Sequence, residues 1–207
     1  MFVDLVFPAL GDSIPTDHAY ALYSALSRAV PAFHDPQGGL RFAPIAGVPG
    51  TPGRLNLLTG VSHLRVRTTG DAIPRALPLG GKAVEVAGAA VRLGPPTVHP
   101  LVPAAALESR LVTFKHGEEP EAFLAAAKAK LAELEVAGEP AIRVFDAGPR
   151  KGEFRRRVLR VRGRAIVGYA VAVSGLSADE SVRLQEHGLG GRTRMGCGFF
   201  LPAREGV

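Results

Sequence analysis

Ser177-Ala-Asp-Glu-Ser-Val-Arg-Leu-Gln-Glu-His-Gly-Leu-Gly-Gly-Arg-Thr-Arg-Met-Gly-Cys-Gly-Phe-Phe-Leu-Pro202 is the stretch whose reading decides the fold. Ser177 and Glu180 form a capping box, the serine accepting the N3 amide while the glutamate reaches back, so a helix starts here. It runs to about Glu186 and stops at Gly188, and the apolar run Phe199 to Pro202 predicts a closing strand. Working outward, Arg110 to Lys115 predicts a strand. Glu118 to Glu135, with acids first and Lys128 and Lys130 later, predicts a helix matched to its dipole. Ala141 to Phe145 is a short strand, and Arg155 to Val161 pairs with Ala165 to Val173 through Arg162-Gly163-Arg164. The order β-α-β-β-α-β is that of a ferredoxin-like unit, the topology of RNA-recognition modules.

The first half suits the same plan with additions. Phe2 to Phe7 is strand-like, and Tyr20 to Val30 has helical periodicity ended by Pro31. Strands are expected at Leu40 to Ile45, Arg54 to Leu58 and His63 to Arg67, a short proline-limited helix at Gly70 to Leu79, and a hairpin from Lys82 to Leu93. The proline-rich stretch Gly94 to Pro103 is the expected boundary. The chain therefore predicts an α+β protein of two tandem ferredoxin-like (RRM-like) domains, residues 1–103 and 104–207, the second carrying a glycine-rich loop.

The 207 residues include one cysteine, no tryptophan and three tyrosines. Stacking of bases on aromatic platforms is thus excluded as the main mode of recognition. Cys197 offers neither an intramolecular disulfide nor a zinc cluster, and a lone thiol suits a reducing compartment. With no basic leader and no long apolar run, a soluble cytoplasmic protein is expected, with no membrane partner. Charge is segregated. Residues 1–149 hold 13 Lys/Arg against 14 Asp/Glu, whereas residues 150–207 hold 12 against 5. A basic surface confined to one part of the chain is the footprint of a polyanion partner, though a solvated basic face would look the same.

Between the last helix and strand, five glycines fall in positions 188 to 198: Gly188, Gly190, Gly191, Gly196 and Gly198. Such a run lets the backbone take positive φ, expose amides and approach a ligand, with Arg192 and Arg194 as fork-shaped phosphate donors. A helix C-cap followed by a flexible turn would account for the glycines equally. Known nucleotide loops do not fit. After Gly191-x4-Gly196, Cys197 and Gly198 stand where a Walker loop needs Lys and Ser/Thr, and the helix-then-strand order is the reverse of both nucleotide motifs. The hairpin Arg155-Arg-Arg-Val-Leu-Arg-Val-Arg162 is a second candidate RNA surface. Strand alternation sets Leu159 and Val161 on one face and Arg160 and Arg162 on the other, and Arg155, Arg156 and Arg157 add to the charge. An edge strand protected by charge is the alternative.

The glycine-rich segment resembles the C-terminal motif of the CRISPR-associated repeat RNA endoribonucleases, the Cas-six family, and its surroundings are similar to the Myxococcus-type subgroup associated with type I systems. Leu5-Val-Phe-Pro8, Asp17-His-Ala-Tyr-Ala-Leu-Tyr23, Leu77-Pro-Leu-Gly-Gly-Lys82, Arg110-Leu-Val-Thr-Phe-Lys115, Val173-Ser-Gly-Leu176 and Leu184-Gln-Glu-His-Gly-Leu-Gly-Gly191 carry the resemblance over nearly the whole chain. It implies two ferredoxin-like domains and metal-independent cleavage of precursor RNA within CRISPR repeats, with no cofactor or metal. The substrate's 2′-hydroxyl would attack, leaving a 2′,3′-cyclic phosphate and a 5′-hydroxyl. CRISPR repeat RNA is the implied partner, other effector-complex subunits are further ones, and the protein works as a monomer or homodimer. A non-catalytic subunit holding the repeat-derived handle is the alternative, and a phosphate-binding metabolic enzyme a third reading that lacks any nucleotide motif.

The family draws its catalytic histidine from the first helix or the following loop. His34, in the loop beside Asp35, and His18, at the helix start, both qualify as general base or acid. Tyr20 and Tyr23 are candidate assisting hydroxyls. His187, at a helix C-terminus, could touch RNA, and Lys115 could reach the scissile phosphate. A surface or helix-cap role would explain each histidine without catalysis.

Overall fold

The computed structural model describes residues 1–35 and 39–203, so positions 36–38 of the loop after the first helix lie outside the described residues. The chain divides into two compact units, residues 1–100 with 194–196, and residues 101–193 with 197–207.

In the first unit, β1 (Phe2–Leu10) is central, followed by a short β2 (Ser13–Pro15) and helix α1 (Ala19–Ala29). Strands β3 (Arg41–Ala43), β4 (Val48–Pro49), β5 (Arg54–Asn56) and β6 (His63–Thr69) come next. A turn of helix α2 (Ile73–Ala76) precedes β7 (Ala83–Val86), β8 (Ala89–Leu93) and β9 (Thr97–Pro100). The main sheet runs β3-β6-β1-β8-β7, every pair antiparallel, while β2, β5 and β4 form a small separate sheet. Period-2 alternation drives this arrangement: Leu5, Phe7 and Ala9 of β1 enter the core with Leu22 and Leu26 of α1,. The opposite side of β1 carries Asp4, which faces Arg67 of β6 in register. Asp4 binds the Arg67 guanidinium through Nε at 2.8 Å and Nη2 at 2.9 Å, and Arg65 adds a contact at 3.2 Å.

The proline-rich boundary stretch holds a strand that the sequence did not reveal. β9 pairs with β1 from Val3↔Pro100 to Val6↔Thr97, continuing the edge that β8 begins at Ala9↔Leu93. Pro100 is tolerated because it ends the ladder.

The second unit is built from β10 (Ala106–Val112), α3 (Pro120–Glu133), β11 (Glu139–Ile142), β12 (Arg156–Val161), β13 (Arg164–Ser174), α4 (Ala178–His187) and β14 (Leu201–Pro202). Its antiparallel sheet runs β11-β13-β10-β14, with β12 also paired to β13. Counting β11 and β12 as one interrupted strand, the order 2-3-1-4 is the ferredoxin-like arrangement, and the first unit follows it with its extra strands. α3 buries Phe123, Ala127 and Leu131 at i, i+4 and i+8,. Phe123 and Leu131 each contribute on the order of 1.5–3 kcal/mol. β10 starts earlier than the expected Arg110, because residues 106 to 109 already pair with β13, and its register shifts at a bulge between Ser109 and Val112,.

Two hairpins close through two-residue turns with positive φ at both positions, Ala87 and Gly88 in one, Arg162 and Gly163 in the other. That geometry matches the twist of the flanking strands. The capping box is present as expected: Glu180 N–H donates to Ser177 Oγ at 3.3 Å, and Ser177 N–H to the Glu180 carboxylate at 2.8 Å. No helix among the described residues is long and apolar enough to cross a membrane.

Candidate active site and nucleic-acid interface

Helix α1 ends at Val30, and Pro31–Phe33 forms a single tight turn that sends the chain back along the helix. Phe33 anchors this turn, buried and edge-on to Phe42 with 6.4 Å between ring centroids. His34 follows, its amide donating to the Pro31 carbonyl at 2.8 Å while its side chain is exposed. The reversal brings His34 Nδ1 to 3.1 Å from the Tyr23 hydroxyl. Tyr23 is itself largely buried on the inward face of α1, so the hydroxyl is held by the core. Tyr20 lies beside it, 6.4 Å away between centroids. Eleven residues separate Tyr23 from His34. Their pairing depends on the turn and has no sequence spacing of its own.

His18 does not share this position. It occupies the residue before α1, is 1% exposed, and its Nδ1 donates to the Pro15 carbonyl at 2.8 Å. This enclosure sets His18 apart from the exposed His34 and ranks it second of the two expected candidates for the base. His187 closes the last turn of α4, with Nδ1 donating to the Arg183 carbonyl at 3.0 Å. Lys115 is exposed.

The glycine-rich segment is corrected in part. Its amides were expected to face a ligand, yet three are taken up within the protein. Gly188 N–H donates to Leu184 O at 2.8 Å, Gly191 N–H to Thr113 O at 2.8 Å and Gly198 N–H to Leu111 O at 2.7 Å. A Cβ on Gly190 would lie 2.6 Å from Thr113 O, and one on Gly198 would lie 2.1 Å from Leu189 O, both at positive φ. Gly188, at φ 70, is the helix C-cap,. Packing within the fold therefore demands these glycines. Arg192 is exposed with φ 58, and Arg194 is exposed with Nη1 donating to the His34 carbonyl at 3.1 Å. Cys197 is buried and forms no disulfide among the described residues.

The hairpin arginines do not form one face. Arg156 and Arg160 are exposed on β12, and Arg162 is exposed at the turn. Arg155 and Arg157 share the side of buried Leu159 and are half-buried. Arg155 pairs with Asp146 at 2.5 Å and lies 5.6 Å from the Phe145 ring centre, which also carries Arg150 at 4.4 Å. Burial, then the like charges of Arg155 and Arg150, hold the Arg157 guanidinium below the usual arginine range, and a phosphate beside it would relieve the repulsion. Phe145 and Arg150 were not picked out from sequence, since nothing in their spacing signals the stacking. A groove of about 560 Å³ lined by Glu119, Pro120, Glu121, Leu124 and Phe154 repels phosphate by its charge,. Among the described residues no three His, Cys, Asp or Glu side chains converge as a metal site.

Two ferredoxin-like units in tandem, an exposed histidine backed by a tyrosine, and an arginine-lined hairpin define the class. Over residues 3–205 the chain matches the model of the family described as Cas6 Crispr. It is 43% identical over 202 residues, 98% of this chain and 82% of the other, to a CRISPR-associated endonuclease Cas6 of Myxococcus xanthus strain DK1622. Among solved structures it resembles a CRISPR associated protein Cas6, with TM-score 0.69 at 14% identity, covering 99% of each chain. It also resembles a Cas6-related protein from Pyrococcus furiosus, with TM-score 0.61 at 14% identity, covering 100% of this chain and 99% of that one. The chain belongs to the Cas6 family, the CRISPR-associated repeat RNA endoribonucleases that its sequence resembles.

Proposed function

We propose that this Cas6 protein cuts precursor RNA within CRISPR repeats without a metal ion, and that His34 is its general acid–base group. The observation that carries this is the hydrogen bond between exposed His34 and the buried Tyr23 hydroxyl. A hydroxyl both donates and accepts, so it can hold Nδ1 in either tautomer and leave Nε2 to exchange a proton with the RNA. The 2′-hydroxyl attacks the adjacent phosphorus as its proton is removed. The P–O5′ bond breaks, the leaving oxygen takes a proton, and a 2′,3′-cyclic phosphate and a 5′-hydroxyl remain. Arg156, Arg160, Arg162 and Arg192 are the exposed cations assigned to the RNA backbone, with Arg157 and Arg155 behind them. Recognition through phosphates and shape suits a chain with no tryptophan and only three tyrosines,. No cofactor is needed for this chemistry.

Single-turnover cleavage of repeat RNA in excess EDTA tests the reading. Cleavage is expected to persist in EDTA and to fall about 10²- to 10⁴-fold in His34→Ala. Loss of activity in EDTA, or an unimpaired His34→Ala protein, would refute it. Tight binding with no cleavage by the wild type would leave a non-catalytic RNA-binding subunit.

A further inference from the structure

Three residues of the glycine-rich loop, Arg194–Gly196, belong to the first unit, whereas the residues on either side belong to the second. Each makes a different contact there. Arg194 donates to the His34 carbonyl at 3.1 Å. Met195 packs, partly buried, on the first hydrophobic core. Gly196 sits so close to its neighbours that a Cβ would lie 2.9 Å from Pro44 Cδ and 3.2 Å from Phe42 Cε2. Phe42 in turn meets Phe33 edge-on, and Phe33 directly precedes His34. The segment thus touches the histidine's turn twice, through its backbone carbonyl and through the ring pair beneath it.

We infer that Arg194 is a positioning residue for His34 and does not serve as a ligand for RNA phosphate. This rests on the reading of His34 as the acid–base group. Tyr23 fixes one end of the histidine, the imidazole Nδ1. The other end is the backbone, where His34 is the residue that caps its tight turn. The guanidinium on the His34 carbonyl orients the peptide that follows, and with it the direction of the Cα–Cβ bond. Proton transfer requires heavy atoms within hydrogen-bond reach, and a misplacement of about 1 Å costs on the order of 100-fold in rate. An arginine committed to a carbonyl in this way acts on the rate of the reaction, while a phosphate ligand acts on affinity and its salt dependence.

The test uses the full chain with repeat RNA for cleavage and the same RNA carrying a 2′-deoxy nucleotide at the cut site for binding. In Arg194→Ala, the single-turnover rate at saturating RNA is expected to fall about 10- to 100-fold. Affinity for the deoxy RNA should stay within about twofold of wild type, and the slope of log K against log salt should be unchanged. Retained affinity also shows that the variant is folded. An unchanged rate, or a salt slope reduced by about one unit, overturns the inference, since about one unit is what a lost phosphate contact removes. His34→Ala separates the two levels: if that variant cleaves normally, the reading of the reaction fails whatever Arg194→Ala does.

Discussion

Gly190 and Gly191 are adjacent and look alike in sequence, but the structure treats them differently, and alanine at each should separate fold from ligand. At Gly190, φ is +82, and an added Cβ would lie 2.6 Å from Thr113 O and 2.9 Å from Val112 Cγ1. A left-handed conformation costs an L-residue about 1–2 kcal/mol. The Thr113 carbonyl cannot retreat freely, because it accepts the Gly191 amide at 2.8 Å, and losing that bond costs about 1 kcal/mol. Forcing a methyl against Val112 adds on the order of 1–3 kcal/mol. Together these come to about 3–6 kcal/mol, a large share of a domain's roughly 5–15 kcal/mol. In a chain of this size that is a fall in Tm of about 10 °C. At Gly191 the nearest atoms to a Cβ are 3.7 and 3.8 Å away, an ordinary contact, so the expected cost is below about 0.5 kcal/mol. Thermal unfolding followed by circular dichroism measures both. Equal melting of the two variants would refute the reasoning. A Gly191→Ala protein that melts like wild type but loses more than tenfold in RNA affinity would show that the RNA, and not the fold, requires that glycine.

Tyr23→Phe removes one hydrogen bond to His34, worth about 1 kcal/mol, so cleavage should slow about fivefold with RNA affinity unchanged; stopped single-turnover assays and filter binding check the two halves. Asp4→Ala strips the buried Arg67 guanidinium of its carboxylate, and urea denaturation should report a loss of about 3–5 kcal/mol. Ser177→Ala removes the cap of α4 and should cost about 1 kcal/mol in the same assay. The backbone amides of Ala137 and Ser177 hold the Glu180 carboxyl below its ordinary value of 4.5. A depressed pKa gives stability that is complete above the ordinary value and is lost as pH falls through the lower folded-state value. Glu180→Gln should therefore show a smaller drop in Tm than wild type below about pH 4.5, and an identical acid limb would count against it.

The fold was legible where local chemistry is strong. The capping box at Ser177 and Glu180, the break at Pro31 and the glycine-closed hairpins each settle their neighbourhood with bonds between near residues. β9 was hidden because its four residues are all exposed and owe their pairing to β1, nearly a hundred residues earlier in the chain. The candidate site was half legible. His34 stood out by residue type and place, but its hydrogen bond to Tyr23 depends on a turn that no periodicity encodes. His18 stood level with it because a polar residue before a helix looks exposed, while here it is enclosed. The glycines misled in another way: the freedom that suggested close approach to phosphate is spent on close approach to Thr113 and Leu189.

Because Arg194–Gly196 complete the unit that begins at Met1, the order of synthesis matters. The ribosome delivers His34 and Tyr23 early, and the chain must grow by some hundred and sixty further residues before Arg194 can reach the His34 carbonyl. A nascent or prematurely terminated chain thus carries the histidine without its anchor. On this account the histidine reaches its full working geometry only once the chain has been made as far as Arg194.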